Sequence, residues 1–147
     1  LSVTRGAFRN VFPGIWSDPM TNDARLLALY VLTNRLRATE GFYELPAGLA
    51  LAELDWNAER YAVAWGELEA ADFAHYNPKA QVVFITRALK YQPPAGPKQV
   101  TGALRQIVSV GGAPELFARL WAAAEKYAPD LSAALKARYP EYVSAIR

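Results

Sequence analysis

Apolar residues recur along this chain with two different periods, and the switches between them mark out its elements. Residues 21–34 open with a capping-type Thr21, carry Asp23 in the first turn and continue as ARLLALYVLTN. Leu26, Leu27, Leu29, Tyr30 and Val31 leave little polar face, which predicts a deeply buried helix. Residues 35–40 are polar and read as a loop. The stretch GFYEL from Gly41 to Leu45 predicts a small strand, and Pro46 suits the start of a helix running from Ala47 to Leu54. Asp55, Trp56 and Asn57 form a tight turn, with Asn57 placed to cap the next helix. From about Ala58 to Ala71, Tyr61, Ala64, Trp65 and Leu68 recur at three- and four-residue spacing and predict one buried helical face. Glu59, Arg60, Val63, Gly66, Glu67 and Ala70 fall toward the other.

The period then shortens to that of strands. Residues 73–76 and 81–86 flank Asn77-Pro78-Lys79-Ala80, which is hairpin-turn chemistry. YQPPAGP, from Tyr91 to Pro97, predicts a stiff extended connector, because its three prolines oppose a helix. A ligand for a proline-binding domain is the other use of such a stretch. Lys98 to Val110 predicts a helix stopped at Gly111-Gly112. Pro114 opens another, whose stripe is Leu116, Phe117, Leu120, Trp121, Ala124 and Tyr127. Pro129-Asp130 interrupts it, a further helix carries Leu131, Ala134 and Leu135, and Pro140 starts a last turn. At the other end, Arg5 to Trp16 mixes aromatic and β-branched residues and predicts a short strand or extended arm, closed by a turn at Asp18-Pro19.

Helix, short strand, helix, turn, helix, hairpin is the plan of a winged helix-turn-helix. The expected class is therefore mainly α with a small β hairpin. Residues 1–97 would form the winged helix-turn-helix domain with its N-terminal arm, and residues 98–147 a C-terminal helical extension.

Composition adds little to that picture but removes several alternatives. Apolar residues make up 52% of the chain and charged ones 20%, a balance that favours a packed core over disorder. There is no Cys, which excludes disulfide scaffolds and thiolate metal sites and is compatible with a cytoplasmic location. No apolar run approaches the roughly 18 residues of a membrane span, and no signal-peptide pattern is present. A start at Leu1 instead of Met is what a piece of a longer protein would show.

Charge changes the picture more. The formal net charge is only +2, yet its distribution is uneven. Residues 38–72 hold eight acids against one Arg, and residues 73–109 hold three Lys and two Arg with no acid. An acid-free basic stretch suits an anionic partner. Its alternative use is to pair with the acidic stretch, within the molecule or head to tail between copies.

No catalytic constellation is visible, and neither an enzyme nor a cofactor or metal site is expected. His75, the one histidine, has no neighbouring nucleophile or carboxylate pattern and reads as a strand residue. Glu53 and Asp55, or Glu67 and Glu69, are two apart, so on a helix they diverge instead of sharing a proton.

Six segments in one order resemble the N-terminal domains of phage replisome-organiser and DnaD-like replication proteins. They are Ile15-Trp16-Ser17-Asp18, DARLLALYVLTN (Asp23 to Asn34), GFYELP (Gly41 to Pro46), ELDW (Glu53 to Trp56), GELEAADF (Gly66 to Phe73) and ALKYQPP (Ala88 to Pro94). Together they span about Phe8 to Gln99. The resemblance implies a DNA-binding winged helix used in starting replication, with DNA and replication proteins such as a helicase loader as partners, and homo-oligomers as a further possibility. In such folds the second helix of the helix-turn-helix lies in the major groove. Here that helix carries Glu59, Glu67 and Glu69, with Asp72 just beyond, and phosphates repel such a face. Asn57 and Arg60, at its first turn, remain candidates to reach base edges. The stronger expectation is backbone contact by Lys79 at the hairpin tip, Arg87 and Lys90 after the second strand, and Lys98 and Arg105 on the following helix, with Arg5 and Arg9 able to join. Five such contacts would give a log–log salt slope of about −4 to −5. A protein-interaction or oligomerisation module and a transcriptional regulator of the same fold are the alternatives.

Overall fold

The computed structural model describes residues 10–145. Along them run α1 (Gly14–Ser17), α2 (Asn22–Thr33), β1 (Phe42–Glu44), α3 (Ala47–Leu54), α4 (Ala58–Ala70), β2 (Ala74–Asn77), β3 (Val82–Ile85), α5 (Ala88–Tyr91), α6 (Gly96–Ser109), α7 (Pro114–Tyr127), α8 (Pro129–Arg138) and α9 (Pro140–Ala145). The protein is mainly helical with a small antiparallel sheet in the order β1-β3-β2. Phe42 pairs with Phe84 on one side of the central strand, and His75 pairs with Phe84 on the other.

The sheet organises everything else. Successive side chains of a strand point to opposite faces. Tyr43, Val83 and Ile85 face a first core built by α1 to α4, with Leu27, Val31, Leu32, Trp65 and Leu68. Phe42, Val82 and Phe84 face a second core built by α6 to α8, with Ile107, Leu116, Leu120, Trp121, Leu131 and Leu135. A sheet covered on both faces needs strands without polar alternation, which is why VVFI is apolar throughout. Trp121 is buried by this packing and meets Tyr142 of α9 at 4.6 Å, as expected of intramolecular burial.

Helix ends are tied by side chains far away in sequence. Thr21 caps α2 by accepting from the Ala24 N–H at 3.3 Å. The Glu67 carboxylate of α4 then accepts from both the Thr21 N–H (3.1 Å) and its hydroxyl (2.6 Å). At the other end the buried Asn34 amide donates to the Tyr30 carbonyl (3.0 Å) and the Tyr43 hydroxyl (2.9 Å), and that hydroxyl donates to the Val31 carbonyl at 2.6 Å. Gly41 sits at φ +76° where β1 passes α5; a Cβ there would lie 2.5 Å from Ala88 Cβ.

Three sequence expectations need correcting. The arm is helical at its end: Pro13, at φ −61°, starts α1, and Phe12 and Ile15 are buried beside it. Residues 1–9, with Arg5 and Arg9, lie outside the described residues. The connector is shorter than YQPPAGP suggests. Tyr91 ends the short helix α5 and Pro97 lies in the first turn of α6, where no N–H is missed, so residues 92–95 alone lie between the two helices. The second helix is less deeply buried than its composition implies, since Leu26 is 46% exposed.

Candidate nucleic-acid interface

The outward face of α4 is the first place to look. Asn57 Oδ1 accepts from the Arg60 N–H at 2.8 Å, an N-cap that uses the side chain within the helix. The Arg60 guanidinium donates to both Asp23 oxygens, at 2.8 and 2.9 Å, and lies over the Trp56 ring at 4.7 Å. This bidentate contact holds the Asp23 carboxyl below the usual carboxylate range and Arg60 above its own. Glu67 is engaged at Thr21, while Glu59 and Glu69 are exposed and Val63 is 63% exposed. The face therefore offers carboxylates, small side chains and one valine, and its single guanidinium is already matched.

The hairpin tip presents Pro78 and Lys79 to solvent. Asn77 orders the turn by accepting from the Ala80 N–H at 2.8 Å, and its amide donates to Glu115 at the start of α7 at 2.6 Å. Arg87 follows the far end of β3, its guanidinium beside Gly14 of α1. The length of the central strand thus separates Lys79 from Arg87 and the start of α5.

The remaining bases flank α5 and α6. Lys90 is exposed with its Nζ 5.6 Å from the Tyr91 ring centre. Lys98 and Arg105 are two turns apart on α6 and line one shallow depression with Pro97, Thr101 and Gly102. Among the described residues, none of Lys79, Arg87, Lys90, Lys98 and Arg105 forms an ion pair. No protein-family model, curated protein or solved structure matches this chain.

Beside the depression lies a cavity of about 560 Å³ that the sequence did not announce. Gly102 belongs to both hollows, and Thr39, Glu40, Tyr91, Pro93 and Gln99 are among the residues enclosing the larger one. Glu40 is 8% exposed, and its Oε2 has no hydrogen-bond partner. Burial pushes its carboxyl above the ordinary value, against the smaller opposing effects of its own backbone N–H and the Arg37 charge. Tyr91 is 41% exposed, one side of its ring held by Phe12 at 4.6 Å. Residues 35–40 read as a polar loop because nothing local reveals that Glu40 will be buried. Tyr91 did carry a signal, as an aromatic set among Arg87, Lys90 and Lys98.

His75 lies in β2 as expected, and its Nε2 is 2.6 Å from Asp72 Oδ1, which also accepts from the Thr86 hydroxyl at 3.2 Å. These contacts fasten the turn after α4, where Asp72 takes φ +53°. Among the described residues no group of three or more His, Asp or Glu side chains is arranged to hold a metal ion, and no helix is long and apolar enough to cross a membrane.

Proposed function

We propose that this chain is a DNA-binding module on the winged helix-turn-helix plan, of the phage replisome-organiser or DnaD-like kind, and that it holds the nucleic-acid backbone on its α5–α6 side. The order helix, strand, helix, helix, strand, strand, with β1 against β3, supports the plan. The observation that carries the binding reading is an asymmetry of engagement. The one base on α4 is matched by Asp23, whereas Lys90, Lys98 and Arg105 are exposed and not ion-paired among the described residues. A cation already matched by a carboxylate gains little from a phosphate; an unmatched one releases a condensed counterion when it meets one. Binding of this kind is largely independent of sequence. Fluorescence anisotropy with labelled duplex and single strands at low salt tests it. The wild type should bind, and the triple variant Lys90→Glu, Lys98→Glu, Arg105→Glu should not. Absence of wild-type binding at low salt removes the reading.

The exposed Val63 between Glu59 and Glu69 favours a second reading, a protein-interaction module that docks through α4. Light scattering across a concentration range tests the self-association form of it. A stable oligomer dispersed by Val63→Arg would support it over the first.

A further inference from the structure

We propose that copies of this chain pair head to tail, the outward face of α4 on one copy lying along the outward face of α6 on the next. This rests on the reading of α4 as a docking face, and it names what docks there.

Both faces are unused within the molecule. On α4, Glu59, Ala62, Val63, Gly66, Glu69 and Ala70 are exposed, and neither of these carboxylates forms an ion pair among the described residues. On α6, Lys98, Thr101, Gly102 and Arg105 are exposed, and its two bases are likewise without an acid. Residues three, four and seven apart share one side of a helix, so each set is a single stripe. Carboxylates flank an apolar side chain on one stripe, and bases flank a glycine on the other.

The stripes match in length and in shape. At a rise of about 1.5 Å per residue, Glu59 and Glu69 stand about 15 Å apart along α4, and Lys98 and Arg105 about 10 Å apart along α6. Laid antiparallel with their midpoints together, Glu59 falls about 2 Å along the axis from Arg105, and Glu69 about 2 Å from Lys98. Such an offset is well within the reach of these long side chains. The same register sets Val63 over Gly102, in the depression that Pro97, Lys98, Thr101 and Arg105 also line. Val63 is 63% exposed, and a Cβ at Gly102 meets nothing within 4 Å, so the molecule itself neither covers the one nor fills the other. Ala62, Gly66 and Ala70 keep the α4 surface low enough for a second helix to approach to the roughly 8–10 Å of packed helices.

Charge selects this pairing over its rivals. Two α4 helices laid antiparallel would set Glu59 of one copy against Glu69 of the other, and two α6 helices would oppose Lys98 and Arg105. Like charges across a contact exclude the wrong partner, and opposite charges fix the register. The α4 helix packs on the core at one face of the sheet and α6 on the core at the other. A pair therefore leaves one face of each kind free, and copies add in an open row instead of closing as a dimer. One helix on one helix is a contact of the transient class, which dissolves on dilution. It covers Lys98 and Arg105, so pairing and polyanion binding compete for the same bases.

The test is static light scattering of the whole chain without nucleic acid, at low salt, from about 10 μM to about 1 mM protein, a range that spans transient affinities. The weight-average mass should climb steadily with concentration and return to that of the monomer at about 1 M salt, where charges are screened within about 3 Å. Two double variants carry the decisive comparison, Glu59→Lys with Glu69→Lys and Lys98→Glu with Arg105→Glu. All four side chains are exposed, and circular dichroism checks that each variant keeps the fold. Each variant alone should stay monomeric, because its two faces now carry the same charge. An equimolar mixture should associate again, the unchanged α6 of the first meeting the unchanged α4 of the second. Val63→Arg should weaken wild-type association by about tenfold or more. A wild type that stays monomeric at the highest concentration, a mass that halts at the dimer, or a variant mixture that stays monomeric overturns the pairing. Association that is lost with Val63→Arg but survives Lys98→Glu with Arg105→Glu leaves α4 a docking face and sinks α6 as its occupant.

Discussion

On the proposed DNA-binding reading, salt dependence turns the placement of five bases into a number. Each phosphate neutralised on a duplex contributes about −0.9 to the slope of log K against log salt. Arg87, Lys90, Lys98 and Arg105 lie toward α5 and α6, and Lys79 lies beyond the other end of β3, near Glu115. Four contacts give a slope of about −3.6, so raising salt from about 50 to about 200 mM lowers affinity roughly 150-fold. Lys98→Ala and Arg105→Ala should each flatten the slope by about 0.9, whereas Lys79→Ala should leave it unchanged. All three side chains are exposed, so each substitution should keep stability within about 0.5 kcal/mol. Glu59→Gln and Glu69→Gln sharpen the test: neutralising them raises affinity if α4 enters the groove and changes little if it does not. The assay is anisotropy with one duplex at five or more salt concentrations. A slope that falls as much for Lys79→Ala as for Lys98→Ala, or that ignores Lys98 and Arg105, would refute the assignment of the α5–α6 side.

Three further outcomes follow from packing and titration. Burial raises the Glu40 carboxyl above its ordinary 4.5, so the folded state holds that proton more tightly than the unfolded one, and this contribution is lost as pH rises through the raised value. Glu40→Gln should therefore gain stability over the parent progressively as pH climbs from 4.5, read by thermal melts in a pH series; a constant difference would contradict it. Gly41→Ala should cost about 1–3 kcal/mol or more, because φ is +76° and the new Cβ meets Ala88 and Ile85; a urea midpoint equal to that of the parent would show the site can relax. Phe84→Ala should cost about 3–5 kcal/mol, and near-UV and far-UV circular dichroism should still lose signal in one shared transition, since β3 serves both cores. Two separate transitions would show that the cores unfold independently.

How much of this was legible depends on how far apart the interacting residues stand. Capping by Thr21 and Asn57 spans three residues, and both were readable. Pro114, Pro129 and Pro140 each open a helix, so the C-terminal elements were readable from proline placement alone. The apolar run of β3 reads only as a hairpin strand; that its sheet is covered on both faces emerges from the packing of the C-terminal helices. Contacts between distant residues left no local trace. Arg60 finds Asp23 across 37 positions and Thr21 finds Glu67 across 46, so the candidate base reader and one of the acids expected to repel phosphate are both engaged within the protein. Glu40 looked solvated because a polar loop usually is, yet it is 8% exposed.

The acidic stretch shows why charge along a chain is a poor guide to charge on a surface. Of its carboxylates, Glu53 accepts from the Tyr30 hydroxyl at 2.6 Å, Glu67 holds the Thr21 cap of α2, and Asp72 meets His75 and Thr86. Those three are fastening points between elements, and Glu40 is buried. What is left exposed, chiefly Glu59 and Glu69 with Glu44 and Asp55, lies on α4, at the end of β1 and at the C-cap of α3. The basic stretch has no such internal employment: its five side chains form no ion pair among the described residues. Head-to-tail pairing of the two stretches would have to use the exposed, unengaged carboxylates, chiefly Glu59 and Glu69 on α4. On the proposed reading the basic side meets an external polyanion, which a high-salt wash should release.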